Sequence, residues 1–198
     1  MRRIAPLLLT VSLVFLAKSA FAHTGQGDVG SGFVAGFLHP ITGLDHMLAM
    51  LAVGMWGAQL GMPALWVLPV AFPLVMAFGG VLGILGLPLP ATEPAIVLSV
   101  LLLGAVIAFG RRPPLAVAAA LVAFFAIFHG YAHGRELPAA ASAIGFSAGF
   151  VLATGCIHLT GIGIGFVTKL PHGEMSLRAG GAAIAMAGVF LAWRLAGA

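Results

Sequence analysis

The chain has 198 residues, of which 61% are hydrophobic and only 7% charged, nine basic and five acidic. A soluble domain carries nearer ~25% charge, so this sequence cannot cover a water-facing surface, and a soluble enzyme is excluded. What remains is an integral membrane protein, with length for one domain of about six or seven spans at ~20 residues each. Twenty-eight glycines, with small-xxx-small pairs at Gly32/Gly36, Gly79/Gly83, Gly145/Gly149 and Gly161/Gly165, point to helices that approach one another closely. A single cysteine, Cys156, excludes an intramolecular disulfide.

From the N-terminus, Met1-Arg2-Arg3 is followed by an apolar stretch over 4–17 and by Ala20-Phe21-Ala22. That is the three-part layout of a cleavable signal peptide, residues 1–22. Its apolar part is short for a span. Removal takes away Arg2, Arg3 and Lys18 and leaves one transmembrane domain, 23–198, with six basic residues against five acidic, so the net charge falls from +4 to +1. No basic cluster remains, and no nucleic-acid partner is expected. Cleavage would also make His23 the N-terminal residue, where amine and imidazole together can chelate an ion; a flexible terminal histidine is the preferred reading.

Apolar segments bounded by Pro, Gly and charge then predict six helices at roughly 30–59, 63–87, 94–110, 114–134, 139–167 and 177–196. The expected fold is an all-α membrane protein, a bundle of about six transmembrane helices. With the mature N-terminus outside, inner loops hold Arg111, Arg112, Lys169 and Arg178, while outer segments hold Arg135 and Arg194. That bias follows the positive-inside rule and places both termini outside.

The first mature helix contains His39-Pro40-Ile41-Thr42-Gly43-Leu44-Asp45-His46. A carboxylate at membrane depth costs about 2.5–3.5 kcal/mol even on the lenient insertion scale, so Asp45 needs a partner or a wet cavity. Residues seven apart share a helix face, so His39 and His46 align, with Asp45 about 100° from His46. Pro40 lacks an N–H and Gly43 loosens the backbone, which predicts a break at Pro40–Gly43 that would free carbonyl oxygens as further ligands. The plainer alternative is one His–Asp hydrogen bond locking a helix pair, yet two histidines and an acid exceed what a lock requires. In the second helix, Pro69 and Pro73 suggest a kink.

The fourth helix ends in Phe128-His129-Gly130-Tyr131-Ala132-His133-Gly134-Arg135-Glu136. His129 and His133, four apart, put two imidazoles on one face within reach of one ion, and Glu136 falls on the same face. Imidazole with carboxylate suits first-row divalent ions such as Zn, Ni, Co and Cu. The alternative is an interfacial cluster reaching water, with Arg135 pairing Glu136.

The fifth helix repeats the first. Gly32-Phe33-Val34-Ala35-Gly36-Phe37 matches Gly145-Phe146-Ser147-Ala148-Gly149-Phe150, and Thr42-Gly43-Leu44-Asp45-His46 matches Thr154-Gly155-Cys156-Ile157-His158. Two parallel helices would bring His46 and His158 to similar depth. Cys156 falls on roughly the opposite side of the helix from His158 and is not expected to share its ion. Ordered from the outside inward, the groups read His133 and Glu136, then His129 and His39, then Asp45, His46 and His158. A structural metal site gathers its ligands at one level, whereas this spread describes a path.

At these residues the sequence resembles the HupE/UreJ family of bacterial nickel permeases. The resemblance rests on His39-Pro40-x-x-Gly43-x-Asp45-His46, on Phe128-His129-Gly130-x-Ala132-His133-Gly134-x-Glu136, on Ala153-Thr154-Gly155-x-x-His158 and on the N-terminal presequence, and covers essentially the whole chain. It implies import of Ni²⁺ across the bacterial inner membrane to supply nickel enzymes, with both termini periplasmic. His39, Asp45, His46, His129, His133 and Glu136 are the residues it carries over. It leaves cobalt open, since related systems handle that ion. The expected partners are thus the transported divalent metal ion and the lipid bilayer, with no permanently bound cofactor.

Neither lysine follows a glycine, so no Walker A pattern exists and ATP-driven pumping by this chain alone is excluded. The leading expectation is a secondary permease that is not an enzyme. Two rivals come from other classes. One is an intramembrane zinc hydrolase, with Asp45 or Glu136 as base. The other is a sensing subunit that binds metal without moving it.

Overall fold

The computed structural model describes residues 29–136 and 142–197, and within them the chain forms seven α-helices and no strand. The expected signal segment 1–22 and His23 lie outside the described residues. The helices are α1 (Val29–Thr42), α2 (Leu44–Leu60), α3 (Ala64–Ile84), α4 (Thr92–Ala108), α5 (Leu115–Glu136), α6 (Ala143–Gly165) and α7 (Gly173–Ala196). A single 3-10 turn, Phe166–Lys169, follows α6.

The chain is an all-α membrane protein. α3, α5, α6 with its 3-10 turn, and α7 are each long and apolar enough to cross a bilayer. α1 and α2 separate at Gly43 and are bent by 78°, and the pair makes a fifth span if counted as one. Against about six expected spans the described helices thus supply four or five by length. The difference is α4, whose 17 residues rise only ~25 Å, short of a ~30 Å hydrocarbon core. Its limits are local. Pro88 and Pro90 delay its start, and Gly110, at φ 62°, turns the chain away before Pro113 and Pro114.

Three helix pairs carry most of the bundle, and glycine sets each approach. α1 lies parallel to α6. A Cβ on Gly36 would strike the Phe146 carbonyl, and one on Gly149 would strike the Phe33 carbonyl. Because Gly36 matches Gly149 and Phe33 matches Phe146 in the repeat, these are one contact with its partners exchanged, a local pseudo-twofold. α3 and α5 repeat the pattern, with Gly79 on Ile127, Gly130 on Met76, Gly83 on Tyr131 and Gly134 on Gly80. α4 and α7 run antiparallel, with Gly104 against Ala185 and Gly188 against Leu101. Lipid offers little hydrophobic drive for helices to associate, so such close backbone contact supplies the attraction.

α2 occupies the centre. Ala49, Met50, Ala52, Val53, Met55 and Trp56 are all buried, so it is covered around its whole circumference. It touches α3, α4, α6 and α7. Its far end is tied to the end of α4, where Gln59 Nε2 donates to the Ile107 carbonyl and Trp56 Nε1 to that of Arg111, both at 3.2 Å. Arg178 Nε donates to the neighbouring Ala108 carbonyl at 2.7 Å. Together these bonds fasten α2 and α7 to the end of α4 and the chain that follows it.

Candidate metal site

The separation at Gly43 gives α2 its own N-terminus inside the apolar bundle, and Asp45 stands in its first turn. The helix dipole favours a carboxylate there, which explains how the membrane tolerates this one. Asp45 Oδ1 accepts from the His46 backbone N–H and contacts His46 Nδ1, both at 2.8 Å. The bond lies within one helix, so the alternative of a lock between two helices finds no support. With Nδ1–H given to the carboxylate, His46 Nε2 is left as a buried nitrogen without a partner.

His46 stands between the two histidines of α5. Its ring centroid is 4.3 Å from that of His133 and 4.7 Å from that of His129. His133 is in turn 4.9 Å from His39 of α1. The result is a file of four imidazoles, His39–His133–His46–His129, drawn from three helices. At its open end His39 Nε2 lies 3.1 Å from Glu136 Oε2, and His133 Nδ1 lies 4.0 Å from the same oxygen. Ligand atoms of His39, His133 and Glu136 all fall within 4.8 Å of one another, the one such three-residue group among the described residues. Glu136 pairs with these imidazoles, and no Glu136–Arg135 ion pair occurs among the described residues.

His39 therefore sits level with Glu136, one step further out than the sequence order placed it. The reason is the bend, which swings α1 away from the line of α2 and lays His39 against the end of α5. His158 also departs from its expected level. α6 runs unbroken through Gly155, and the His158 carbonyl abuts Gly54, eight residues and ~12 Å along α2 from His46. Phe72 separates His158 from the file, 5.6 Å from His158 and 5.5 Å from His129.

The polar atoms left over are as informative as the bonds. His46 Nε2, His129 Nδ1, both nitrogens of His133 and His158 Nε2 are buried with no hydrogen-bond partner. Each such group costs about 1–3 kcal/mol, and natural interiors keep few of them without a purpose. Aromatic walls shield the file from lipid, with Phe150 4.4 Å from His133 and Phe146 5.6 Å from His39. Both belong to the repeated segment of α6. The sequence pattern marks these two residues only as part of the repeat, and it assigns nothing to Ser99, whose Oγ lies 2.9 Å from His129 Nε2. The signal was a single serine in the apolar run of α4, which a search for charge and imidazole does not register.

Cys156 is exposed while His158 on the same helix is buried. Cys156→Ser is accordingly expected to leave metal uptake within about twofold of wild type, since an outward thiol contributes nothing to inward ligands. Uptake assays with the two proteins matched for abundance check this.

The family model described as HupE / UreJ protein matches residues 11–191 of the chain. Protein HupE of Rhizobium leguminosarum bv. viciae is 46% identical over 183 residues, covering 92% of this chain and 96% of that protein. No solved structure matches the chain.

Proposed function

The chain belongs to the HupE/UreJ family, and on that premise we propose that it is a secondary permease importing a divalent transition-metal ion, nickel foremost, across the bacterial inner membrane. Both termini face the periplasm in this reading. The observation that carries it is the file itself, in which imidazoles follow one another at 4.3–4.9 Å with buried, unpartnered nitrogens between them. Asp45 and Glu136 supply two carboxylates along it, matching the charge of one divalent ion.

Transport follows from ligand exchange. An ion held at ~2.1 Å from each donor needs pairs of donors no more than about 4.2 Å apart. The 3.1 Å and 4.0 Å separations from Glu136 Oε2 meet that limit and the three donors all lie within 4.8 Å, so small side-chain adjustments let the outer group capture the ion as it sheds water. His133 neighbours both His39 and His46 and has both nitrogens free, which makes it the residue of transfer. The ion then moves to His46 and His129 and leaves past Phe72 and His158. Neutral imidazoles bind without adding fixed opposing charge, so release stays possible.

The His39/His133/Glu136 group taken alone also has the donor set of a catalytic zinc centre. Hydrolysis would need a base beside it, and Asp45 is engaged with His46 instead. Purified protein in sealed vesicles loaded with a metal-sensitive dye decides between the readings. Influx of Ni²⁺ with no other component supports the permease, and competition by Co²⁺ and Zn²⁺ sets its selectivity. Binding without flux would favour a sensor, and cleavage of lipid or peptide an enzyme.

In the same vesicles, Glu136→Gln is expected to raise the half-saturating metal concentration about tenfold or more, the equivalent of ~1.4 kcal/mol of capture energy. Maximal flux should change little, because the inner pair is untouched. Unchanged half-saturation would remove Glu136 from capture.

A further inference from the structure

α4 offers no ligand to the file, yet it sets one polar side chain against it. Ser99 is completely buried and is the one polar side chain between Pro94 and Arg111. Its Oγ lies 2.6 Å from the Ile96 carbonyl oxygen and 2.9 Å from His129 Nε2. A hydroxyl has one hydrogen to give. A carbonyl oxygen can only accept, so at 2.6 Å that hydrogen belongs to Ile96. Toward the ring, Ser99 can then only accept, and Nε2 must carry the hydrogen of the neutral imidazole. The other tautomer would set two lone pairs against each other at 2.9 Å. One nitrogen is left, Nδ1, and it is the His129 atom that is buried without a partner.

We propose that Ser99 is a positioning residue, holding His129 in the Nε2–H form so that Nδ1 is the atom offered to the transported ion. Asp45 does the mirror-image service for His46, taking Nδ1–H and freeing Nε2. The two rings stand 4.7 Å apart and nearly perpendicular, at 87°. Each is thus oriented by a group outside the file, one a carboxylate on its own helix and the other a hydroxyl on a neighbouring helix. Such outer partners fix the tautomer and the aim of a metal-binding histidine, and removing one commonly lowers metal affinity 10–100-fold. α4, too short to be a comfortable span, gains a role as the support of this ring.

The consequence for transport rests on the permease reading, whereas the tautomer does not, and the test separates them. Full-length protein with ¹⁵N-labelled histidine is placed in lipid without metal, and the His129 resonances are identified by their loss in His129→Gln. Wild type should show Nε2 protonated and Nδ1 bare. Ser99→Ala should populate both tautomers and raise the half-saturating Ni²⁺ concentration for vesicle influx 10–100-fold. Ser99→Cys keeps the volume but offers only a weak sulfur acceptor, so it should behave as Ser99→Ala does even if the alanine variant fails to insert. Ser99→Thr, which retains the hydroxyl, should restore both readouts. A wild-type His129 protonated at Nδ1, or a Ser99→Cys protein with wild-type tautomer and uptake, overturns the proposal. Absence of influx in wild type overturns the permease reading instead, and the resonances still decide the tautomer.

Discussion

His46→Ala is expected to abolish metal accumulation while the protein still inserts at normal abundance. His46 is the link between the outer and inner parts of the file, 4.3 Å from His133 and 4.7 Å from His129. Without it, the two histidines of α5 are separated by one helical turn, ~6 Å along the axis, and an ion leaving His133 has no donor to accept it before the first is lost. The bare intermediate would be a desolvated divalent cation among apolar walls, a cost of several kcal/mol or more, so a loss of at least ~100-fold is expected. Folding should survive, because the substitution removes a buried nitrogen that has no partner along with the ring's contacts. Asp45→Asn should give a second, milder block of about 10–100-fold, since the amide keeps the shape but not the charge that orients His46. Accumulation of radioactive nickel at limiting external metal, normalised to membrane-inserted protein, measures both. Normal uptake by the alanine variant would take the file out of the mechanism.

The positions of these residues on helices were readable from the sequence, because an acid or imidazole in an apolar run stands out against the cost of placing it there. Their levels were not. His39 and His46 share a face of an ideal helix, but α1 is docked on α6 through Gly36 and Gly149 while α2 is enclosed at the centre. Both meet α6, α2 further along it through Gly54 and Gly161, and the 78° between them is set by this packing, which is not visible in a local pattern. The repeat misled in the same way. It aligned His158 with His46, yet α6 has no proline between the two matched blocks and runs straight through Gly155, where the first helix separates at the matching Gly43. Ser99 was legible as a polar residue and illegible as a functional one. Its meaning lies in a count of hydrogens across two helices that only the fold brings together.

Glycine gives the other large effect. Gly130 lies between the two histidines of α5 and faces α3, where a Cβ would strike the Met76 carbonyl and come within 2.9 Å of the Gly80 nitrogen. Both obstacles are backbone, so no side chain can turn aside, and Gly130→Ala must push the two helices apart. Overpacking of this kind costs about 1–3 kcal/mol, and here it also displaces His129 and His133 from α1 and α2. Gly130→Ala is therefore expected to lower thermal stability in detergent by several degrees and to lose most metal uptake. Gly155 is the informative control, for a Cβ there meets nothing within 4 Å. Alanine is the better helix former by about 1 kcal/mol, so Gly155→Ala should be neutral or stabilising, although Gly155 also sits in a motif beside a histidine. Melting curves and vesicle influx for the two variants side by side test the ordering. Equal losses at both positions would mean that helix approach at α3–α5 does not set the spacing of the file.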